Sequence, residues 1–150
     1  MVKLPDELSG EIAGTLIPSA VIRTPLTFED GLTKPKRLII VAVDDDQDEV
    51  LYVKTTSKNL HLYHNGNPAL RGHFIYLKAK EVPIFELDTA IDFRRIGAFR
   101  ISALRGRHRQ GELMFMGNMP PDLMADIYQC IRGAQQIERQ LKRKILDGIT

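Results

Sequence analysis

The sequence predicts a small, mainly β domain that ends in an amphipathic α-helix. Short runs rich in β-branched and aromatic residues recur along most of the chain, separated by turn signals, which is typical of a compact barrel or a strongly bent sheet. A helical period is clear only after Pro120-Pro121. With 150 residues, 43% of them hydrophobic and 27% charged, the chain is sufficient for one hydrophobic core. We therefore expect residues 1–150 to form a single domain.

The clearest predicted strand is Leu38–Val43, whose uninterrupted apolar run is typical of a strand buried on both faces. The acidic stretch 44–49 follows and then a second strand, Val50–Thr56. We interpret the acidic stretch as an exposed hairpin loop, because like charges at this density cannot be buried. A divalent-metal site is the alternative for this stretch, although neither a glycine nor a ligand spacing supports it. The other predicted strands are Glu11–Leu16, Ala20–Arg23, His73–Ala79, Ile84–Leu87, Ala90–Phe93, Ala98–Leu104 and Leu113–Met116.

The two ends of the chain have contrasting patterns. Four prolines within the first 35 residues argue against long helices there, and residues 1–30 are expected to form an extended N-terminal segment. Residues 121–147 are predicted to form one helix, because apolar side chains recur there at steps of three and four. Asp122 near its start and Arg143 near its end complement the helix dipole, and Gly148 is expected to end it.

Cysteine content and charge indicate the compartment and a class of partner. A single cysteine excludes an internal disulfide and indicates a reducing compartment, and no apolar run is long enough to cross a bilayer. We therefore expect a cytoplasmic protein with no membrane partner. Residues 1–93 carry 10 basic and 14 acidic side chains, whereas residues 94–150 carry 11 and 5. The stretch Arg94–Gly111 contains six arginines and no acid, which indicates either a nucleic-acid footprint or a solvated loop and strand face.

The first hairpin predicts a cluster of polar side chains at its open end. If Val43 pairs with Val50 across the acidic loop, Arg37 lies opposite Thr56 and shares a face with Lys54. A slip of one residue would place Thr55 or Ser57 there instead. A guanidinium, a hydroxyl and an ammonium together can stabilise the transition state of phosphoryl transfer. A surface ladder of polar side chains is the alternative interpretation.

These residues resemble those of the MazF/PemK toxins of toxin–antitoxin systems. An arginine entering an apolar strand, Lys36-Arg37-Leu38-Ile39-Ile40-Val41, and a strand ending in Thr55-Thr56-Ser57 are similar to that family. So are the opening tripeptide Gly10-Glu11-Ile12 and the later segment Asp88-Thr89-Ala90-Ile91-Asp92-Phe93. The chain departs from the family at Leu38, where a proline is usual, and in the longer stretch between Gly10 and Arg37.

The resemblance implies an SH3-like β-barrel with a C-terminal helix, acting as a homodimer. It implies a metal-independent endoribonuclease without cofactors, which cuts single-stranded RNA by attack of the 2′-hydroxyl and is held by a cognate acidic antitoxin. Arg37 would donate a proton to the scissile phosphate or stabilise its charge, and Thr56 or Thr55 would orient that phosphate. The side chains expected to contact flanking RNA are Lys54, Ser57, Lys58, Arg94, Arg95, Arg100 and Arg107, with Phe74, Tyr52 or Tyr63 stacking on bases.

Two alternatives to this function stay open. One is a non-catalytic binding module of the same architecture, as in the topoisomerase poison CcdB, and another is a structural domain of a phage or mobile element. Histidine is a competing general base, but none of the four lies beside a recognisable Ser, Cys or Asp partner. His61 and His64, as a metal pair, lack a third ligand.

Overall fold

The computed structural model describes residues 16–28, 30–58, 60 and 74–147, which form a curled antiparallel sheet with helices on both faces. The strands are β1 (Ala20–Thr27), β2 (Thr33–Asp44), β3 (Glu49–Thr56), β4 (Phe74–Leu77), β5 (Thr89–Arg100) and β6 (Met114–Asn118). The helices are α1 (Ile101–Arg109), α2 (Pro121–Gly133) and α3 (Arg139–Asp147). The sheet order is β4-β5-β3-β2-β1-β6, so the sheet forms a half-barrel. The prediction of a mainly β fold with a helical C-terminus is confirmed.

Side chains that alternate along the central strands fill two separate cores. On one face Ile39 and Val53 pack with side chains from α2 and α3. On the other face Leu38 and Tyr52 pack with side chains from α1. The sheet is thus buried on both sides, which explains why Leu38–Val43 is apolar without alternation, as predicted. None of the helices in the described part of the chain is both long and apolar enough to cross a membrane.

The region after Ala98 was predicted to be a strand and is partly helical. β5 ends at Arg100, and α1 begins at Ile101 with only Ile101 and Leu104 buried. The predicted strand Ile84–Leu87 is also wrong, because these residues lie in the loop between β4 and β5. Phe85 is buried in the core from this loop, so its apolar character reflects packing without strand pairing. The predicted segment Glu11–Leu16 lies outside the described residues, except for Leu16.

The C-terminal region contains two helices, so the prediction of one helix over 121–147 is wrong. α2 ends at Gly133, and Ala134 has an extended backbone (φ −78°, ψ 113°). Ala134 and Ile137 are nevertheless buried in the same core as the helices. The apolar spacing therefore continues across the break because both residues still face the core. Between them, Gln136 Nε2 donates to the Phe93 carbonyl at 3.2 Å, which ties this linker to β5.

β1 is longer than the predicted Ala20–Arg23 and passes through Pro25, which lies opposite Pro35 of β2. The Pro25 carbonyl accepts a hydrogen bond from Arg107 Nη1 at 2.6 Å and so points away from β2. In an antiparallel strand the nitrogen of a residue points to the same side as its carbonyl. The missing N–H of Pro25 therefore removes no hydrogen bond between β1 and β2, and the strand tolerates it.

The acidic stretch forms the predicted turn, and its side chains also fasten two helices. Asp48 accepts hydrogen bonds from the Ser102 backbone N–H at 3.1 Å and from the Ser102 hydroxyl at 2.7 Å, so it caps α1. Lys144 of α3 pairs with Asp44 at 3.0 Å and with Glu49 at 2.5 Å. The hairpin loop is therefore the point at which helices on both faces are attached to the sheet.

Replacing Asp48 tests this cap. The Ser102 hydrogen bonds hold the pKa of Asp48 below its ordinary value. The stability that Asp48 adds to the fold is therefore full above the pKa of Asp48 in the unfolded chain. It is lost as the pH falls through the lower pKa of Asp48 in the folded protein. Glycine accepts the φ of +52° at this position without strain. We expect Asp48→Gly to lower the Tm at pH 7 and to lower it less at pH 3, as followed by circular dichroism.

The matched control is Asp46→Gly, which changes the same turn at an exposed carboxylate. It is expected to lower the Tm at pH 7 by less than Asp48→Gly, since it reports only the added freedom of the unfolded chain. An equal loss for Asp48→Gly at pH 3 and pH 7 would contradict the cap.

Candidate nucleic-acid interface

A β-bulge in β2 decides which side chains meet at the open end of the first hairpin. Next to the loop Val43 pairs with Val50 as predicted, but the register shifts between Ile40 and Ala42. Beyond the shift Leu38 lies opposite Lys54. The prediction that Arg37 lies opposite Thr56 and shares a face with Lys54 is therefore wrong. The one-residue slip places Arg37 beside Thr55, while Lys54 and Thr56 point to the other face.

Arg37 lies directly opposite Arg23 of β1. The Thr55 hydroxyl donates to the Arg37 carbonyl at 2.7 Å, so this carbonyl points toward β3 and away from β1. Such a non-hydrogen-bonded pair brings its side chains closest, with Cβ atoms about 5 Å apart. In the described part of the chain neither guanidinium pairs with a carboxylate. Two opposed like charges are unfavourable alone, and an anion between them would relieve the repulsion.

The Arg23–Arg37 pair lies in a groove that we call groove 2. The loop between β4 and β5 forms its far wall, and Arg37 Nη1 donates to the Ile84 carbonyl of this loop at 2.9 Å. Asp88 holds the base of the loop, accepting from the Tyr76 hydroxyl at 2.8 Å and from the Ala79 N–H at 2.7 Å. Groove 2 is lined by Arg23, Lys34, Pro35, Lys36, Arg37, Thr55, Thr56, Ser57, Lys58, Phe85, Glu86, Leu87 and Thr89.

A second groove, groove 1, adjoins the first at the strand ends. Its basic side chains come from three strands, β2, β3 and β5, and its aromatic ring is Phe28, which follows β1. Lys36 Nζ lies 5.6 Å from the centre of that ring, within range of a cation–π interaction. Groove 1 is lined by Phe28, Lys36, Lys54, Thr55, Thr56, Asp92, Arg94 and Arg95.

Lys36 lines both grooves and reports the electrostatic environment of this end of the sheet. Its pKa is lowered from the ordinary value because burial partly desolvates the ammonium and because Lys58, Lys34 and Lys54 repel its charge. None of these four lysines forms an ion pair within the residues that the structure describes. The strand ends thus carry a concentration of positive charge that is suited to a polyanion.

An irregularity in β5 presents two of the predicted arginines to groove 1. Tyr52 pairs with Gly97 but Lys54 pairs with Asp92, so residues 93–96 lie opposite Val53 alone. Arg94 and Arg95 lie in this bulge, and bulges are frequent beside functional sites. Asp92 accepts from Arg94 Nε at 3.0 Å and from Nη2 at 2.6 Å, which fixes the direction of the guanidinium. At the end of the bulge, the ring of Tyr52 covers Gly97 closely, leaving no space for a Cβ.

The hydroxyl groups of the site are mostly engaged in the fold. Thr55 is 7% exposed, and its hydroxyl proton is used by the Arg37 carbonyl. The Thr56 hydroxyl accepts the Lys58 N–H at 3.2 Å in a local turn. Ser57 is exposed in groove 2. Thr55 therefore positions the Arg37 backbone, and Ser57 is the more accessible hydroxyl.

Arg100 and Arg107 are not among the residues that line the two grooves. In the sheet register Arg100 lies opposite Glu49. Glu49 is seven residues along β3 from Thr56, so Arg100 lies about 23 Å from the strand ends that carry the grooves. Arg107 Nη1 donates to the Thr24 hydroxyl at 3.0 Å, and its guanidinium lies 4.7 Å from the Phe99 ring centre. Because the arginine-rich stretch crosses from β5 into α1, neighbours in sequence point to different parts of the surface.

The predicted stacking residues and histidines do not line either groove where they are described. Tyr52 is 5% exposed and stacks on Phe99, with ring centres 5.1 Å apart. Phe74 packs against Ala90. Tyr63 and the histidines at 61, 64 and 73 lie outside the described residues. His108 is on α1, and no group of three potential metal ligands occurs within the described ranges.

Arg23 and Phe28 belong to the site but were not predicted from the sequence. Both come from β1 or its end, and their positions depend on the pairing of Arg23 with Arg37. The available signal was the position of Arg23 between Ile22 and Thr24, which would place it on the opposite face of a strand, but Pro25 obscured the strand. The sequence matches no protein-family profile and no curated protein. The functional assignment therefore depends on the residues of the two grooves.

Replacing Lys36 tests whether the basic cluster, which consists of Lys34, Lys36, Lys54 and Lys58, lowers the stability of the fold and binds a polyanion. We expect Lys36→Met to raise the Tm without ligand by ~1–2 °C, because it removes a desolvated charge among like charges. The pKa of Lys36 is lowered in the folded protein. The gain in stability is therefore full at pH values below this folded pKa, and it vanishes as the pH rises through the pKa of lysine in the unfolded chain. Affinity for polyphosphate should fall. Thermal melts and a binding titration measure both effects.

The matched control is Lys78→Met, which removes the same charge at an exposed position outside both grooves. It should change neither quantity appreciably. A fall in Tm for Lys36→Met, or unchanged affinity for polyphosphate, would contradict the electrostatic interpretation of the cluster.

Proposed function

We propose that this protein binds single-stranded RNA in its two grooves and is a metal-independent endoribonuclease of the MazF/PemK kind. The observation that carries the proposal is the opposed pair Arg23–Arg37, with basic neighbours and no carboxylate paired to either guanidinium in the described chain. A guanidinium presents a planar fork of donors that matches the oxygens of a phosphate. A phosphodiester between the two arginines would supply the missing negative charge.

The proposed reaction uses the RNA's own 2′-hydroxyl as nucleophile. Its oxygen attacks the adjacent phosphorus, the bond to the 5′-oxygen breaks, and the products carry a 2′,3′-cyclic phosphate and a 5′-hydroxyl. Arg37 stabilises the charge that develops on the phosphate oxygens. Glu86 lines groove 2, and in this proposal its carboxylate accepts the 2′-hydroxyl proton while solvent protonates the leaving oxygen. Thr55 acts by holding the Arg37 backbone.

Cleavage by the Arg37→Ala variant tests the proposal. Purified protein is incubated with single-stranded RNA in chelator, and the products are analysed for cyclic phosphate and 5′-hydroxyl ends. We expect Arg37→Ala to reduce the cleavage rate by about 10²–10³-fold, the usual loss for one transition-state donor. Arg37→Lys should retain much of the binding but lose most of the rate, since an ammonium lacks the planar fork.

The control is Arg143→Ala, which removes the same charge from an exposed position on α3, away from both grooves. Its cleavage rate should equal that of the wild type. Cleavage that persists unchanged in Arg37→Ala would show that the activity does not use this site.

The second candidate is a non-catalytic RNA-binding module of the same architecture. The engaged hydroxyls favour it, because the protons of Thr55 and Thr56 already bond to backbone carbonyls and are not available to orient a phosphate. This candidate predicts salt-dependent RNA binding with no cleavage. In that case Arg37→Ala would weaken RNA binding and reduce its salt dependence by about one phosphate contact.

The proposal includes the finer features of the toxin family. The half-barrel sheet with its C-terminal helices would be an SH3-like barrel, and the protein would act as a cytoplasmic homodimer. Its regulator would be a cognate acidic antitoxin, whose carboxylates would occupy the same basic grooves by charge complementarity. Competition between an acidic peptide and RNA would then be mutual.

A further inference from the structure

The two grooves open on opposite faces of the sheet. Arg37 alternates in phase with Ile39, whose side chain packs toward α2 and α3, so groove 2 lies on that face. Lys54 alternates in phase with Tyr52, whose side chain packs toward α1, so groove 1 lies on the other face. Both grooves occur where β2 begins and β3 ends.

The grooves are continuous around these strand ends. Lys36, Thr55 and Thr56 line both of them, so among the residues that the structure describes no other element separates the two. The chain leaves β3 after Thr56 through Ser57 and Lys58, which are exposed. In the described part of the chain, the surface between the grooves is therefore a narrow, basic rim as thick as one sheet.

Each groove has its own basic side chains. Groove 2 has the Arg23–Arg37 pair, and groove 1 has Lys54 and the arginines of the β5 bulge. Groove 1 also has the ring of Phe28, on which a base could stack. The two grooves differ in their side chains, since groove 2 has the Arg23–Arg37 pair for a phosphate and groove 1 has basic side chains together with the ring of Phe28. Together they match consecutive nucleotides of one ligand, with a phosphate in groove 2 and a phosphate and a base in groove 1.

We infer that a single RNA strand passes through both grooves, bending around the rim at Thr55 and Thr56, with at least one phosphate on each face and a base against Phe28. The inference rests on the proposed RNA binding and adds the path of the strand. A single strand can make such a bend. A double helix is stiff over many base pairs, so it can contact one groove at a time. The rim thereby selects single-stranded RNA by shape.

One variant in each groove tests the path. Fluorescence anisotropy measures binding of a labelled oligouridine of about eight nucleotides, in chelator, over a range of salt concentrations. Arg23→Gln in groove 2 and Lys54→Gln in groove 1 should each reduce the slope of log K against log salt by about 0.7, and the double variant by about 1.4. Lys78→Gln, outside both grooves, should leave the slope unchanged.

The same titrations with a short RNA duplex complete the test. Duplex binding should be at least about tenfold weaker, since it forgoes one groove and its phosphate contacts. Circular dichroism verifies that each variant is folded.

The outcomes separate this inference from the proposed function. If one of the two variants leaves the oligouridine slope unchanged, or the duplex binds as tightly as the single strand, the path is wrong although RNA binding stands. Reduced slopes in both variants without any cleavage would support the path and reject the nuclease. Absence of RNA binding, or tighter binding of polyglutamate than of RNA, would overturn both.

Discussion

The pairing of β2 with β3 is the constraint on which the rest of the structure depends. A single extra residue at the bulge places Val41 and Ala42 in the same core and shifts every residue before them by one position relative to β3. Because side chains alternate between faces, this shift decides which polar groups meet beyond the core. It directs Arg37 to the face that carries Arg23 and leaves Lys54 and Lys36 on the other. The separation of two grooves is a consequence of that one residue.

Much of the fold could be predicted from the sequence because its signals are local. The hairpin, its acidic turn and the register beside the turn follow from an apolar run, a charge cluster and a second run. The bulge could not be predicted, since a run that is apolar throughout has no alternation to reveal a slipped residue. Helix α1 was missed because its cap, Asp48, lies 54 residues earlier in the chain than Ser102. The break between α2 and α3 was hidden because Ala134 and Ile137 keep the helical spacing.

Only the part of the candidate site that lies on the β2–β3 hairpin could be predicted from the sequence. Arg37 and the cluster from Lys54 to Lys58 follow from β2 and β3, whereas Arg23 needs the pairing with β1. Arg100 and Arg107 were grouped with Arg94 by proximity in sequence, but Arg100 lies at the far end of β5 and Arg107 lies on α1, beyond the strand-to-helix transition at Ile101. Proximity in sequence therefore does not place these residues on one surface. The threonines show a related limit, because a sequence does not reveal whether a hydroxyl bonds to a backbone carbonyl or faces solvent.

The hairpin also separates charge along its length. Its turn carries the acidic stretch, which Lys144 neutralises only in part, and its open end carries the lysines and arginines of the grooves. The two ends are about 23 Å apart, well beyond the Debye length of about 8 Å at physiological salt. The two ends of this hairpin therefore differ in the sign of the charges that they carry. In dilute salt, a polyanion is attracted to the basic end of the hairpin and repelled by the carboxylates of its turn.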